Sequence, residues 1–306
     1  MPSKSIGFQT FLSTTSVPIG EILLQSNKPM LKMWNVAISS GTRQFASHSH
    51  SRFEISICES GSGEYTTNNS TYEILPGDVF VFSANEPHCI TKAGNDGLHI
   101  TNLHFEPRCL LSENHNDIHE NFISFCFSHS PDFDNRIPCE ISLFLQNALT
   151  KIKEEFSHND KNQSIAILSY LNLILVDLLR NHKYQTEVFP GDKDNFSYLL
   201  PVYDYIDTHL NEELSLNTLA AIAGFSPNYF SHIFKKLNGI SLWDYITAKK
   251  IEKAVKMLLT KDSKFTMMDI ALECGFNNTV NFNKAFKKQK GVTPSEFKKN
   301  PHLHFH

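Results

Sequence analysis

The sequence predicts an α+β protein with two parts. The first is an antiparallel β-barrel followed by a helical hairpin, and the second is an all-α domain with two helix-turn-helix motifs. Three observations predict this class: short β-rich runs fill the first hundred residues, helical periodicity begins near residue 140, and a helix-turn-helix pattern occurs twice after residue 214. With 306 residues, the chain is long enough for two domains with separate cores.

The N-terminal part is predicted to form the barrel from many short strands. One short strand is expected within residues 1–28, and β-rich runs follow at 31–38, 53–59, 63–67, 71–75, 79–83 and 98–105. Turns are expected at Gly61-Ser62-Gly63, Asn68-Asn69 and Pro76-Gly77-Asp78. Short strands at such intervals are typical of a small barrel or sandwich.

A group of histidines and one glutamate lies within these strands. Side chains two apart on a strand share a face, so His48, His50 and Glu54 can point the same way. Their spacing resembles the first motif of the cupin family, and Pro76-Gly77-Asp78 followed by His88 resembles the second. The resemblance implies a cupin-like domain over residues 1–139, in a family whose metal-binding members use three histidines and the glutamate.

Three interpretations of this group remain open: an effector pocket without metal, a metal site, or hydrogen bonds at the barrel mouth. We expect effector-binding residues and neither a metal nor another cofactor, because the Asn that usually closes the second cupin motif is missing after His88. The other histidines of this region have no partner at ligand spacing and are assigned no role; they are His99, His104, His115, His119 and His129.

A helical hairpin is predicted over residues 140–183, with helices at 140–156 and 163–182. Leu168, Leu171, Leu175 and Leu178 repeat in steps of three and four, as in a coiled-coil seam, and Ile167 and Ile174 add a second apolar line. We expect one surface to pack within the chain and the other on a second subunit; the alternative is an internal hairpin without a dimer. Residues 184–197 are the expected linker, and residues 301–306 a tail.

The C-terminal pattern occurs in two similar copies, from Ser215 to Gly239 and from Thr266 to Gly291. Ser215 and Thr266 suit helix N-caps, and Asn278 suits the cap of the last long helix. Gly224 and Gly275 stand where each first helix must turn sharply, a position for positive φ.

In each copy the second helix buries an apolar face and turns a polar stripe outward. The two stripes are Asn228, Ser231, His232 and Lys235 in the first copy, and Thr279, Val280, Asn283, Lys284 and Lys287 in the second. One such stripe alone would suit a merely solvated helix face, but its duplication favours side chains that read base edges and phosphates. A helix over 242–259, about 27 Å long, would hold the two helices roughly one DNA turn apart.

Residues 200–300 resemble the DNA-binding domain of the AraC/XylS family of bacterial transcription regulators. The resemblance rests on Asp269-Ile270-Ala271, Gly275-Phe276, Phe286-Lys287-Lys288, Gly291-Val292-Thr293-Pro294 and Phe297. It implies a DNA-binding domain over 198–300 with base-reading residues on the second helix of each copy. Where relatives commonly carry Arg, this chain has Lys250 and Lys284, which lack the fork that pairs with guanine.

The charge distribution agrees with nucleic acid binding at one end only. From Tyr198 onward the chain has 14 Lys and 10 Asp or Glu, a net +4, whereas the remainder has 14 basic and 22 acidic residues, a net −8. The six cysteines form no C-x-x-C pair and are expected to be reduced. No apolar run has the length of a signal peptide or an uninterrupted membrane span, so export and membrane insertion are not expected.

These observations predict a cytoplasmic, sequence-specific DNA-binding transcription regulator that is not an enzyme. A small-molecule effector, for example a sugar or related metabolite, would bind in the barrel. The expected partners are double-stranded DNA, the effector, RNA polymerase and a second copy of the chain, without a membrane. The alternatives are a metal-dependent cupin enzyme and a DNA-binding protein without an effector.

Overall fold

The computed structural model describes residues 14–23, 29–42, 49–50, 52–67, 70–106, 129, 133–158, 160–182, 184, 198–238, 240–259 and 265–299. The expectations for His48, His115 and His119, for the linker beyond residue 184 and for the tail lie outside these residues.

The N-terminal part contains an antiparallel sheet of eight described strands. They are β1 (Thr14–Leu23), β2 (Pro29–Ile38), β3 (Gly41–Thr42), β4 (Phe53–Thr67), β5 (Thr71–Ile74), β6 (Val79–Phe82), β7 (His88–Phe105) and β8 (Arg136–Ile137). The main order is β1-β2-β7-β4-β6-β8, with β3 on β7 and β5 on β4. The predicted antiparallel β-domain is thereby confirmed.

Two strands are longer than the sequence pattern predicts. The expected turn at Gly61-Ser62-Gly63 is wrong, because β4 continues through it beside β7 with irregular register. Gly61 has φ +85°, and a Cβ there would lie 2.2 Å from the carbonyl oxygen of Gly97. The glycine therefore permits a bulge between two close backbones, a role that resembles a turn in sequence.

The alternation of side chains gives the sheet two different faces. One face, with Phe53, Ile55 and Leu103, forms a core with the helical hairpin. The other face encloses a second core that includes Val36, Tyr65 and Phe82. Glu54, between Phe53 and Ile55, therefore points into the second core, toward the inside of the curled sheet.

The hairpin consists of α1 (Leu143–Glu155) and α2 (Gln163–Asn181). Helix α2 is the one described helix long and apolar enough, by length and composition alone, to cross a bilayer. Most of both apolar lines of α2 packs within the chain, since Ile167, Leu171, Ile174, Leu175 and Leu178 are fully buried. Leu168, the remaining member of these lines, is half-buried, and the expectation that part of this helix faces a second subunit stays a prediction.

The C-terminal domain contains seven described helices: α3 (Leu200–Thr208), α4 (Leu216–Ile222), α5 (Pro227–Asn238), α6 (Leu242–Leu259), α7 (Met267–Glu273), α8 (Thr279–Lys290) and α9 (Pro294–Lys299). The N-caps Ser215, Thr266 and Asn278 each accept a backbone hydrogen bond as predicted. Helix α6 has the predicted bounds and joins two cores, with its first half packed on α3–α5 and its second half on α7–α9.

The two parts of the chain meet at polar and apolar contacts. Ala84, which follows β6, packs in the core of the first helix-turn-helix unit. The carboxylate of Glu106, which follows β7, lies 2.7 Å from the Lys249 Nζ on α6 and 3.6 Å from the Arg52 Nε. The N-terminal sheet domain is therefore attached to the helix that joins the two helix-turn-helix units.

Candidate nucleic-acid interface and ligand site

The stripe predicted on α5 is on the surface of the first helix-turn-helix unit. Asn228, His232 and Lys235 are exposed and Ser231 is half-buried. The opposite face of α5 carries Phe230 and Phe234, both without exposed surface. Burial of these rings fixes the rotation of the helix and thus which side chains face outward.

The stripe predicted on α8 is arranged in the same way. Val280, Asn283, Lys284 and Lys287 are exposed and Thr279 is half-buried. Phe282 and Phe286 are fully buried on the other face. Both second helices thus present their predicted residues to solvent, where a DNA groove can reach them.

Two lysines of α6, Lys250 and Lys253, donate hydrogen bonds to backbone carbonyls at the end of α7. The Lys250 ammonium donates to the carbonyl of Gly275 at 2.6 Å and lies 5.6 Å from the centre of the Phe276 ring. Lys253 donates to the carbonyl of Glu273. Cations at the C-terminal end of α7 offset the negative end of the helix dipole and satisfy its last carbonyls.

Inside the sheet, one carboxylate oxygen gathers three histidines. The Oε2 atom of Glu54 lies 2.9 Å from His50 Nε2, 3.1 Å from His88 Nε2 and 2.6 Å from His104 Nε2. All four side chains are buried. The other oxygen of Glu54 accepts a hydrogen bond from Ser56 at 2.7 Å.

The pKa values of the four clustered side chains are shifted in different directions. Burial alone would raise the pKa of Glu54, but the charges of His104 and His88 and hydrogen bonds hold it well below its usual range. Burial lowers the pKa of His104 to about 3 and lowers that of His50. Burial opposes the charge on His88, yet Glu54 raises its pKa. One negative group is thus balanced mainly by His88.

The sequence predicted that three of these four residues belong to one site, but it did not predict that His104 joins them. His50 and Glu54 meet as their spacing predicts, and His88 joins them as the cupin resemblance implies. The expectation that His104 has no partner is wrong. Glu54 and His104 are directly opposite each other in the β4–β7 register. Only the strand pairing, which is not visible in local spacing, could have revealed this contact. His129 also has a carboxylate partner, Glu86, at 3.1 Å.

A cavity of about 740 Å³ lies beside this cluster, between the sheet and helices α6 and α8. His50 and His104 form part of its wall. Its other members include apolar residues (Ile19, Met33, Trp34, Val255, Leu259), cations (Lys32, Arg52, Lys256, Lys290) and the acids Glu21 and Glu252. Cations therefore outnumber acids, and the apolar wall is large enough for a small organic molecule.

Comparisons with known proteins match both parts of the chain. A family model described as a helix-turn-helix domain matches residues 219–300. A second model, described as an AraC-like ligand binding domain, matches residues 37–139. The two matched segments contain the two exposed stripes and the buried histidine cluster, respectively.

Individual relatives match either about a third of the chain or most of it. The probable transcription factor PqrA of Proteus vulgaris is 33% identical over 101 residues, covering 32% of this chain and 81% of that protein. The melibiose operon regulatory protein of Escherichia coli is 25% identical over 264 residues, covering 83% of each. The crystal structure of fatty acid-bound ToxT from Vibrio cholerae has a TM-score of 0.57 at 14% identity, covering 94% of each chain, and shows the shared fold.

Proposed function

Because the chain belongs to the AraC family of transcriptional regulators, we propose that α5 and α8 are its reading helices and that a ligand in the interdomain cavity controls them. This proposal depends mainly on the two exposed polar stripes, one on α5 and one on α8. The 18-residue helix α6 joins the two units that carry them. The relatives are transcription regulators, and we take the barrel to sense its ligand rather than to convert it.

Each stripe contains residues for two parts of DNA recognition, namely base edges and phosphates. Asn228, Ser231 and His232 near the start of α5, and Thr279, Val280 and Asn283 near the start of α8, face base edges. Lys235, Lys284 and Lys287 approach phosphates and neighbouring bases. Helix α6, about 27 Å long, sets a separation close to one turn of B-DNA. A footprint on a selected site should show two protected groove segments about one turn apart.

We expect His232→Ala and Lys284→Ala to weaken specific DNA binding more than nonspecific binding. Each loss of a base contact is worth about 1–3 kcal/mol, so the specific Kd should rise about 5- to 150-fold. Fluorescence anisotropy on a selected site and on a scrambled duplex measures both. Lys298→Ala, on the exposed surface of α9, is the matched control. Equal losses on both duplexes would mean that the two residues serve only the DNA backbone.

The lining of the cavity favours an organic anion with an apolar body as the effector. Lys290, at the end of α8, and Arg52 bring positive charge to a wall that also contains Trp34 and Leu259. The buried Arg52 Nε has no hydrogen-bond partner among the described residues. Desolvation lowers the pKa of Lys290, as expected for an ammonium group that an anion would stabilise. A ligand here touches both domains at once.

We expect Lys290→Met to weaken binding of a medium-chain carboxylate at least about tenfold, a loss that a desolvated charge pair can produce, while leaving an alcohol of the same chain length unaffected. Quenching of Trp34 fluorescence in a Trp243→Phe background measures both affinities. Lys92→Met, on the exposed surface of the barrel, is the control. A protein that binds melibiose or another neutral sugar but no carboxylate would exclude this effector class and favour the sugar-binding alternative.

The cavity offers a route from ligand to DNA. Its walls include Val255 and Leu259 of α6 and Lys290 of α8, while the sheet supplies the opposite side. A ligand that binds more tightly to this closed arrangement than to a separated one shifts the population toward it. It thereby changes the freedom of α8 relative to α5, and hence the affinity for paired DNA sites.

We further propose that the regulator is a cytoplasmic homodimer that contacts RNA polymerase at its promoters. Support for the dimer comes from apolar side chains left exposed on the hairpin, Ile165 at 67% and Leu173 at 49% on α2 and Leu143 at 64% on α1. Leu173→Lys should convert a dimer to a monomer at micromolar concentration in sedimentation analysis. Val17→Lys, at another exposed apolar position, should not. A monomeric wild type, with and without DNA, would refute the dimer.

A further inference from the structure

We propose that Val280 on α8 contacts the methyl group of a thymine, so that the second helix-turn-helix unit recognises its half-site partly through an apolar contact. The inference rests on the proposed function, because it takes α8 to lie in the major groove. Among the four standard bases only thymine carries a methyl group at C5, and this group is accessible in the major groove. The partner is therefore a half-site with a T·A pair at one fixed position.

The exposure of Val280 is the first observation. Its side chain is 72% exposed, the largest value for a large apolar residue among those that the structure describes. Asn283 and Lys284 lie three and four residues further on, share its face of α8 and are also exposed. A single exposed valine is common on protein surfaces, but this one is on the surface that carries the polar stripe. Contact with a thymine methyl group would remove its apolar surface from water.

Neither helix propensity nor capping calls for a valine at this position. Valine forms helices less readily than alanine or the long unbranched residues. Asn278 already caps α8 by accepting a hydrogen bond from the backbone N–H of Asn281 at 2.8 Å. The first turn of a helix favours acidic residues, yet α8 has none there. The start of α8 thus lacks the carboxylates that DNA phosphates would repel and carries an apolar side chain instead.

The equivalent position of the first unit carries a polar residue. Phe230 and Phe282 are both fully buried and follow Asn228 and Val280, respectively, by two residues. Asn228 is also exposed, and its amide can form two hydrogen bonds with adenine. The two units therefore present an amide and an apolar side chain at the same point of their second helices. We expect an asymmetric DNA site, in which only one half depends on a thymine methyl group at this position.

Uracil substitution tests this contact, because it removes one methyl group and keeps the hydrogen bonds of the base pair. Each thymine of a selected site is replaced in turn by uracil, and binding of the full-length protein is measured by fluorescence anisotropy. We expect one or two replacements, all in the same half-site, to weaken binding by the wild type about three- to tenfold.

A double-mutant cycle assigns the methyl group to Val280. Val280→Ala should weaken binding to the thymine site about as much as uracil weakens wild-type binding, and the same uracil should then cost less than about twofold more. Asn228→Ala, at the equivalent position of the first unit, is the matched control. It should weaken binding but remain as sensitive to that uracil as the wild type. Both side chains are exposed, so an unchanged Tm shows that each variant is folded.

The outcomes separate this inference from the assignment of the reading helices. A wild type that is insensitive to uracil at every position would overturn the inference but leave α5 and α8 as reading helices. The same holds for a Val280→Ala variant that keeps the full uracil effect. A selection that yields no preferred DNA site would overturn the inference together with the proposed function.

Discussion

Replacing Gly275 with alanine should disrupt the second helix-turn-helix unit, whereas the same replacement at Gly224 should leave the first unit folded. The two glycines occupy equivalent turns and have nearly the same φ, +75° and +72°. Alanine costs about 1–2 kcal/mol in either left-handed conformation. The difference between them is in the surroundings.

A Cβ at Gly275 would lie 2.2 Å from the carbonyl oxygen of Leu210 and 2.9 Å from the Lys250 Nζ, while one at Gly224 meets nothing within 4 Å. The backbone at Leu210 would have to move, and overpacking of this kind adds about 1–3 kcal/mol. The same shift would break the hydrogen bond from Lys250 that closes the end of α7. We therefore expect Gly275→Ala to cost about 3 kcal/mol or more.

Thermal unfolding and DNA binding measure the two effects separately. Gly275→Ala should lower the Tm by several degrees more than Gly224→Ala and reduce specific DNA affinity about 100-fold, because one of two reading helices is lost. Gly224→Ala should bind the selected site nearly as well as wild type. If the two variants have the same Tm and affinity, the contact with Leu210 does not restrict this turn.

The turns and caps of the C-terminal domain could be predicted because their causes are local. Ser215, Thr266 and Asn278 each accept a hydrogen bond from a backbone N–H three residues later, so the pattern and the contact lie in one short segment. The unequal surroundings of Gly224 and Gly275 could not be predicted in this way. Leu210 is distant in sequence and reaches Gly275 only through the packing of α3 and α6.

In the N-terminal sheet, too, contacts between residues far apart in sequence could not be predicted from local spacing. The spacing of His50 and Glu54 is local, and so it predicted their contact. His104 joins them through strand pairing between β4 and β7, which depends on the whole sheet. The near-complete burial of α2 within the chain was also not predictable, since helical periodicity reports which residues are apolar but not which neighbour covers them.

Replacing Glu106 with glutamine should weaken the contact between the barrel and the C-terminal domain by about 3–5 kcal/mol. Glu106 accepts from Lys249 at 2.7 Å and lies 3.6 Å from Arg52. The Glu106 and Lys249 side chains are only 7% and 6% exposed. Glutamine keeps the size of the side chain but leaves the buried Lys249 and the half-buried Arg52 without the carboxylate that balances them. In calorimetry we expect the wild type to unfold in one transition and the Glu106→Gln variant in two.

Two controls isolate the contribution of the Glu106–Lys249 ion pair: a double variant that also replaces Lys249, and a variant that breaks an exposed ion pair on the surface. Lys249→Met combined with Glu106→Gln removes one cation with the carboxylate, so the double variant should be more stable than the sum of the single changes predicts. Glu154→Gln breaks an equally short pair with Lys151, 2.7 Å apart but 54% exposed on both sides, and should not change the Tm. Because Lys249 is on α6, between the two reading units, Glu106→Gln should also reduce the effect of a cavity ligand on DNA affinity. A variant that unfolds in one transition and keeps the full ligand response would show that the ion pair does not couple the two domains.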